Sequence, residues 1–268
     1  MHETPSRPDD LRPPTERRPG ENFFRRPLSY VRRTERLTVG QQRAWDTRRH
    51  RYLIDVPREH RELSVDPGWT FDAVAEFGRD APRVLEIGAG LGECIVHAAA
   101  THPERDHVAV EVYTPGVAQA IVRAGHAGAD PADAGGAPGQ ELGNLRLMQV
   151  DAAELLHHGL PEASLEELWI FFPDPWPKQR HHKRRLVTPE LARLVARVLR
   201  PGGTWRLATD WAQYGEVMLK VGDAAEEFRN VHGPGGRAPR FEGRVMTSFE
   251  RKGLAAGRDV TDLEFVRV

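Results

Sequence analysis

Between Leu168 and Arg185 the chain reads Leu-Trp-Ile-Phe-Phe-Pro-Asp-Pro-Trp-Pro-Lys-Gln-Arg-His-His-Lys-Arg-Arg. One carboxylate, Asp174, and one indole, Trp176, stand among Pro173, Pro175 and Pro177. Proline lacks a backbone N–H and drives the residue before it toward extended geometry, so this is a stiff turn. From Lys178 to Arg185 there is no acid. A carboxylate fixed in such a turn can accept hydrogen bonds from a flat, polar ring. The indole can pack in the turn or stack on that ring, and the cations can meet a polyanion attached to it. A nucleobase in RNA or DNA has this chemistry. Taken alone, the same residues also describe a plain loop followed by a solvated charged face.

A second group of chemical residues is the run Glu86-Ile-Gly-Ala-Gly-Leu-Gly92. Gly88, Gly90 and Gly92 let the backbone take angles that other residues resist and bring it close to a ligand. Their spacing is Gly-x-Gly-x-Gly, whereas a pyrophosphate-binding turn reads Gly-x-Gly-x-x-Gly. Glu111, near the end of the next strand, can take both hydroxyls of a ribose. Glu86 and Asp151 beside the loop would repel a pyrophosphate. They suit S-adenosylmethionine, which carries a sulfonium and an ammonium and no phosphate.

These residues need elements to hold them. Alternation of short apolar runs with helical patterns places strands at 83–88, 106–112, 144–150, 165–172 and 204–209, and a last one in 259–268. Helices are expected at 40–52, 69–77, 92–101, 114–125, 152–158, 188–199 and 211–221. Thr114 and Thr188 are N-cap candidates, each followed by a proline. Pro201-Gly202-Gly203 reads as a turn. This alternation argues for a doubly wound, mostly parallel α/β sheet, whose ligands sit beyond the carboxyl ends of the strands. Glu86, Glu111, Asp151, Asp174 and Asp210 all fall at such ends, which solubility alone does not explain.

Bulk properties narrow the classes. In 268 residues, 38 Lys and Arg face 39 Asp and Glu, so any polyanion must be met by local patches. Arg25-Arg26, Arg32-Arg33 and Arg48-Arg49 are such patches in the N-terminal part. The single cysteine, Cys94, rules out an intrachain disulfide and a cysteine zinc cage. The pairs His157-His158 and His181-His182 are adjacent rather than at ligand spacing, and no metal is expected. No apolar run reaches membrane-span length and no signal core is present, so a cytoplasmic protein is expected. Residues 1–22 read as a disordered tail, 23–65 as a basic arm, and 66–268 as the main domain, with a low-complexity insertion at 125–143.

Several motifs together closely resemble the bacterial tRNA (guanine-N7)-methyltransferases. They are Val84-Leu-Glu-Ile-Gly-Ala-Gly-Leu-Gly-Glu93, Val110-Glu-Val-Tyr-Thr-Pro-Gly-Val117, Phe171 to Lys178 with Arg180 to Arg185, Ala208-Thr-Asp-Trp211 and Thr247-Ser-Phe-Glu250. Tyr30-Val-Arg-Arg and Arg36-Leu-Thr-Val-Gly-Gln41 are similar to that family's N-terminal signature. The resemblance implies a seven-stranded Rossmann-like sheet, S-adenosylmethionine as donor, and a tRNA substrate methylated in its variable loop. It implies that Glu86, Glu111, Asp151 and Asp174 line the donor site and that Asp174 is the active-site residue. Lys178, Asp210, Thr247, Ser248, Phe249 and Glu250 are implied to meet the substrate, with Ser248 standing where the family usually has lysine. Arg180, Lys183, Arg184 and Arg185 are expected on the RNA backbone.

Guanine N7 is an acceptor without a proton. Its attack on a sulfonium methyl needs no general base, so positioning and electrostatics are expected to do the catalysis. Two other readings stay open on the residues: methylation of an exocyclic amine held by the Pro-Asp-Pro-Trp turn, and a non-catalytic RNA-binding protein on a methyltransferase fold.

Overall fold

The computed structural model describes residues 28–30, 36–127 and 141–268. The tail at 1–22, part of the arm and the centre of the insertion lie outside the described residues. Seven strands form one sheet: β1 (Arg83–Ile87), β2 (Asp106–Val110), β3 (Leu145–Met148), β4 (Leu165–Phe171), β5 (Leu199–Thr209), β6 (Phe228–Asn230) and β7 (Thr261–Arg267). Their order is β3-β2-β1-β4-β5-β7-β6. All neighbours run parallel except β7, which is antiparallel to both β5 and β6.

The parallel strands are covered on both faces, which is why they read as near-continuous apolar runs. Side chains alternate across the sheet. Leu85, Ile87, Leu168 and Ile170 join one apolar layer with Val187, Leu191 and Tyr214. Val84, Trp169 and Phe171 join the opposite layer with Ile95, Val117 and Ile121. The helices are α1 (Val39–Tyr52), α2 (Ala73–Phe77), α3 (Glu93–Thr101), α4 (Thr114–Ala127), α5 (Ala152–Glu154), α6 (Pro189–Val198), α7 (Ala212–Ala224) and α8 (Ser248–Ala255). A capping box opens α1: Thr38 accepts from Gln41 N while the Gln41 side chain accepts from Thr38 N. Gln41 also donates to the Pro115 carbonyl (3.2 Å), seating α1 on α4.

Six elements differ from expectation. The helix expected at 69–77 shrinks to α2, because Asp72 caps it by accepting from Ala75 N (3.0 Å). The one at 152–158 is a single α turn continued by a π turn over Leu155–Gly159. Pro201 to Gly203 is a bulge within β5 rather than a turn before it, with Gly202 at φ 77. The three-residue edge strand β6 and helix α8 are not foreshadowed in the sequence pattern, β6 because it is so short and α8 for want of apolar periodicity. Gln179–Arg184, which reads in sequence only as a charge run, is a 3-10 turn.

The sheet turns back on itself between β1 and β4: β2 and β3 lie on one side, and β5, β7 and β6 on the other. The carboxyl ends of β1 and β4 therefore diverge into a crevice. The wall of that crevice is tied to the antiparallel strand by a buried ion cluster. Arg244, 0% exposed, pairs with Glu250 at the start of α8 and with Asp262 of β7. Arg240 adds a second guanidinium on Glu250 (2.9 Å). The Arg244 guanidinium also lies 5.3 Å from the ring centres of both Phe171 and Phe172. Removing one member of such a cluster strands the others as uncompensated buried charges. Arg244→Met is expected to lower unfolding stability by about 3–5 kcal/mol in urea titration. A loss within about 0.5 kcal/mol, the range of an ordinary surface change, would contradict this account of the cluster.

Candidate active site

The loop after β1 turns through three residues in left-handed geometry, Gly88 (φ 74), Gly90 (φ 56) and Gly92 (φ 72). A side chain at Gly92 would in addition put its Cβ 2.6 Å from that of Ala120, so α3 and α4 could not pack as they do. The loop lies beside a cavity of about 410 Å³ at the β1–β4 crevice. Glu86, Gly88, Gly90, Glu93, Glu111 and Asp174 contribute to its lining.

Glu86 is 4% exposed. It is held by the first turn of α3, through the Ile95 N–H, while its Oε2 has no hydrogen-bond partner. Burial pushes its pKa up to about 8, and Glu111 and Glu93 add to the shift. Glu111 accepts three backbone N–H groups: Gly90 (2.7 Å) on one oxygen, and Val112 (2.7 Å) and Tyr113 (2.9 Å) on the other. It thereby latches the glycine loop to the end of β2, and the oxygen facing Gly90 keeps a free lone pair. Burial raises its pKa too, with the Asp174 charge a smaller cause. Asp151 stands apart. Its Oδ1 caps α5 by accepting from Ala153 N (2.9 Å), while its neighbours Val150 and Ala152 line the cavity.

The loop after β4 stores strain. Phe172 (φ 51) and Trp176 (φ 46) are both left-handed without being glycine, at a cost of order 1–3 kcal/mol each. Several contacts hold it there. Phe172 N donates to the Ala208 carbonyl (2.8 Å), Trp176 Nε1 to the Ser29 carbonyl (3.1 Å), and Arg185 Nε to the Pro175 carbonyl (2.9 Å). Trp176 is buried, with the Arg184 guanidinium 4.1 Å over its ring. The indole thus packs in the turn, and the loop presents Asp174, exposed, at the cavity.

The basic segment divides. Arg180 and Lys183 are exposed, as is Lys178, which leads into the 3-10 turn. Arg184 is half-buried and donates to the Leu28 carbonyl (2.9 Å). Arg185 does not fit the role expected for it. At 4% exposed, it is spent on Pro175, on Gln213 (3.1 Å) and on the face of Tyr214 (4.8 Å), so it braces the loop and cannot reach a phosphate. Desolvation and the surrounding cations lower the pKa of His181.

The stretch at the start of α8 divides likewise. Thr247 caps the helix by accepting from Glu250 N (3.1 Å), and Thr247, Ser248 and the half-exposed Phe249 line the cavity. Ser248 donates to Glu93 Oε2 from both N (3.0 Å) and Oγ (3.1 Å). Glu250, expected to meet substrate, is 1% exposed and filled by two guanidiniums, so it anchors α8 instead. Asp210 lies outside the cavity lining, behind α8 and paired with Arg258 (2.8 Å). Four residues with no expected role in the site also line the cavity: Tyr30 and Glu93, which belong to the motifs, and Ser29 and Lys252, which do not. Among them, the Lys252 position, one helical turn after Ser248, is the signal the sequence offers.

Among the described residues no cluster of His, Cys, Asp and Glu could hold a metal ion, and no helix is long and apolar enough to cross a membrane. A buried carboxylate with an unsatisfied oxygen, set among further acids and beside a glycine loop, fits a compact cationic ligand.

Comparison with known proteins bears on the same region. The family model described as "Putative methyltransferase" matches residues 80–263. The chain is 46% identical over 252 residues to a tRNA (guanine-N(7)-)-methyltransferase of Cutibacterium acnes, covering 94% of this chain and 87% of the relative. It is 43% identical over 270 residues to one of Pseudomonas aeruginosa, covering 100% of both. To one of Paenarthrobacter aurescens it is 40% identical over 312 residues, covering 99% of both.

The Glu86 geometry has a pH signature. The raised value means that folding takes up a proton between about 4.5 and 8. The stability from this uptake is complete below the unfolded value and disappears as pH rises through about 8. A cation bound beside Glu86 favours its charged form. Binding of S-adenosylmethionine at neutral pH should therefore release a proton, seen as a dependence of calorimetric enthalpy on buffer ionisation heat. Glu86→Gln should abolish that release. Donor binding by the unaltered protein with no proton release would contradict the assignment.

Proposed function

Since the chain belongs to the tRNA (guanine-N(7)-)-methyltransferase family, we propose that its cavity is where S-adenosylmethionine and a guanine of the tRNA variable loop are brought together for transfer to N7. The observation that carries this reading is the strained Phe171–Pro177 loop, which places an exposed carboxylate, Asp174, at the rim of an acid-lined cavity, with exposed cations in the segment that follows it. S-adenosylmethionine supplies an electrophilic methyl group when bound. Glu86 and Glu111 balance the donor's positive charge and hold its ribose, and the glycine loop gives it backbone contact without a Cβ in the way.

Asp174 accepts hydrogen bonds from the N–H groups on the Watson–Crick edge of the guanine, which turns the opposite, N7 side of the base toward the cavity. N7 has a free lone pair and no proton, so no side chain has to act as a base. Positive charge builds on the purine during transfer. A fixed carboxylate near the ring stabilises that charge more than it stabilises the neutral base, and this difference is what accelerates the reaction. Lys178, Arg180 and Lys183 lie where a folded RNA backbone would run past the cavity, and a base displayed from a loop suits the site better than continuous duplex.

Asp174→Ala should lower the single-turnover methylation rate by about 10²–10³-fold, the range for losing one preorganised electrostatic partner, with the circular dichroism spectrum retained. An unchanged rate would remove Asp174 from the mechanism. Arg180→Ala and Lys183→Ala should each weaken tRNA binding and reduce the slope of log K against log salt by about 0.7–0.9 for every phosphate left without its cation. Arg185→Ala should leave that slope unchanged and lower thermal stability. A slope insensitive to Arg180 and Lys183 would make the segment a solvated face only.

A further inference from the structure

The cavity has an uneven charge inventory. Glu86, Glu93, Glu111 and Asp174 line it, and among the described residues a single basic side chain does so, Lys252. The phosphate-facing candidates Arg180 and Lys183 are not part of its lining. The orientation of α8 explains why Lys252 is. Ser248 is tied across the cavity to Glu93 through both its N and its Oγ, at 3.0 and 3.1 Å. Glu250 is fixed on the other side of the helix by Arg240 and Arg244. These anchors set the rotation of α8, and residues four apart on a helix share a face. Lys252 therefore projects from the face that Ser248 turns to the cavity. Glu93, the acid closest to this face in the network, is already engaged by Ser248 and by Arg123 (3.3 Å). Among the described residues no hydrogen bond or ion pair engages the Lys252 ammonium.

S-adenosylmethionine is a zwitterion at its amino-acid end. The acids that suit its sulfonium and ammonium would repel its carboxylate, and a cavity built only of those acids would bind it poorly. We propose that Lys252 binds the carboxylate of the donor, so that α8 closes the amino-acid end of the site while the glycine loop and Glu111 hold the nucleoside end. This rests on S-adenosylmethionine being the donor. A phosphodiester of the target nucleotide is the other anion within the same chemistry. The donor carboxylate is favoured because Lys252 shares its cavity with Glu86 and the glycine loop rather than with the exposed basic segment.

The test is calorimetric titration of the full-length protein, free of tRNA, with S-adenosylmethionine and with decarboxylated S-adenosylmethionine, which keeps the sulfonium and ammonium. Lys252→Met should weaken binding of the intact donor by about ten-fold or more, the effect of losing one hydrogen bond to a charged group. It should leave binding of the decarboxylated form unchanged, and Lys252→Arg should restore the preference for the carboxylated molecule. Equal losses for both molecules, or none, would overturn the proposal. So would unchanged donor binding combined with a tRNA salt slope shallower by the share of one phosphate, which would assign Lys252 to the RNA. If the unaltered protein bound neither molecule, the donor assignment itself would fail.

Discussion

Burial of the Glu86 carboxylate is the constraint on which the rest of the site depends. Strand alternation puts its side chain on the α3–α4 side of the sheet, where it is 4% exposed and one oxygen has no partner. Leaving an anion in that state is costly, and the protein relieves the cost by holding a proton on it. A ligand cation relieves it in another way. The same burial that weakens the empty site thus makes it selective for positive charge, with Glu111 and Glu93 reinforcing the effect.

The fold supplies two further parts around that point. Because the sheet reverses between β1 and β4, the glycine loop and the Phe171–Pro177 loop open on the same crevice. The second loop is held in two left-handed non-glycine conformations by contacts from β5, the 3-10 turn and residues 28–29. Arg244 joins this loop to α8 by lying against Phe171 and Phe172 while bound to Glu250 and Asp262. The donor wall and the rim carrying Asp174 are therefore braced by one buried guanidinium. That arrangement suits a reaction that needs geometry and charge rather than a proton-transfer group.

Much of this was legible because it is local. Glycines between a strand and a helix, acids at strand ends, and an aspartate among prolines state their geometry within a few residues. What the chain order hides is which charges are used up. Arg185 and Arg180 look alike in a basic run, yet only Arg185 is consumed by Pro175, Gln213 and Tyr214. Glu250 looks like a substrate contact until Arg240 and Arg244, folded back from the loop that leads into α8, fill it. Asp151 sits at a strand end as expected and then caps the next helix, because a short side chain there competes for backbone N–H groups. Lys252 is hidden for the opposite reason: its spacing from Ser248 is the one mark it carries in sequence, and that spacing gains meaning only once the rotation of α8 is known to turn both to the cavity.

The atom that receives the methyl group is the most direct test of the account. Unmodified tRNA incubated with the protein and isotopically labelled S-adenosylmethionine can be digested to nucleosides and separated by mass spectrometry. The account predicts that the label is found in 7-methylguanosine. Label on an exocyclic amine, or no transfer by a protein shown to be folded, would contradict it.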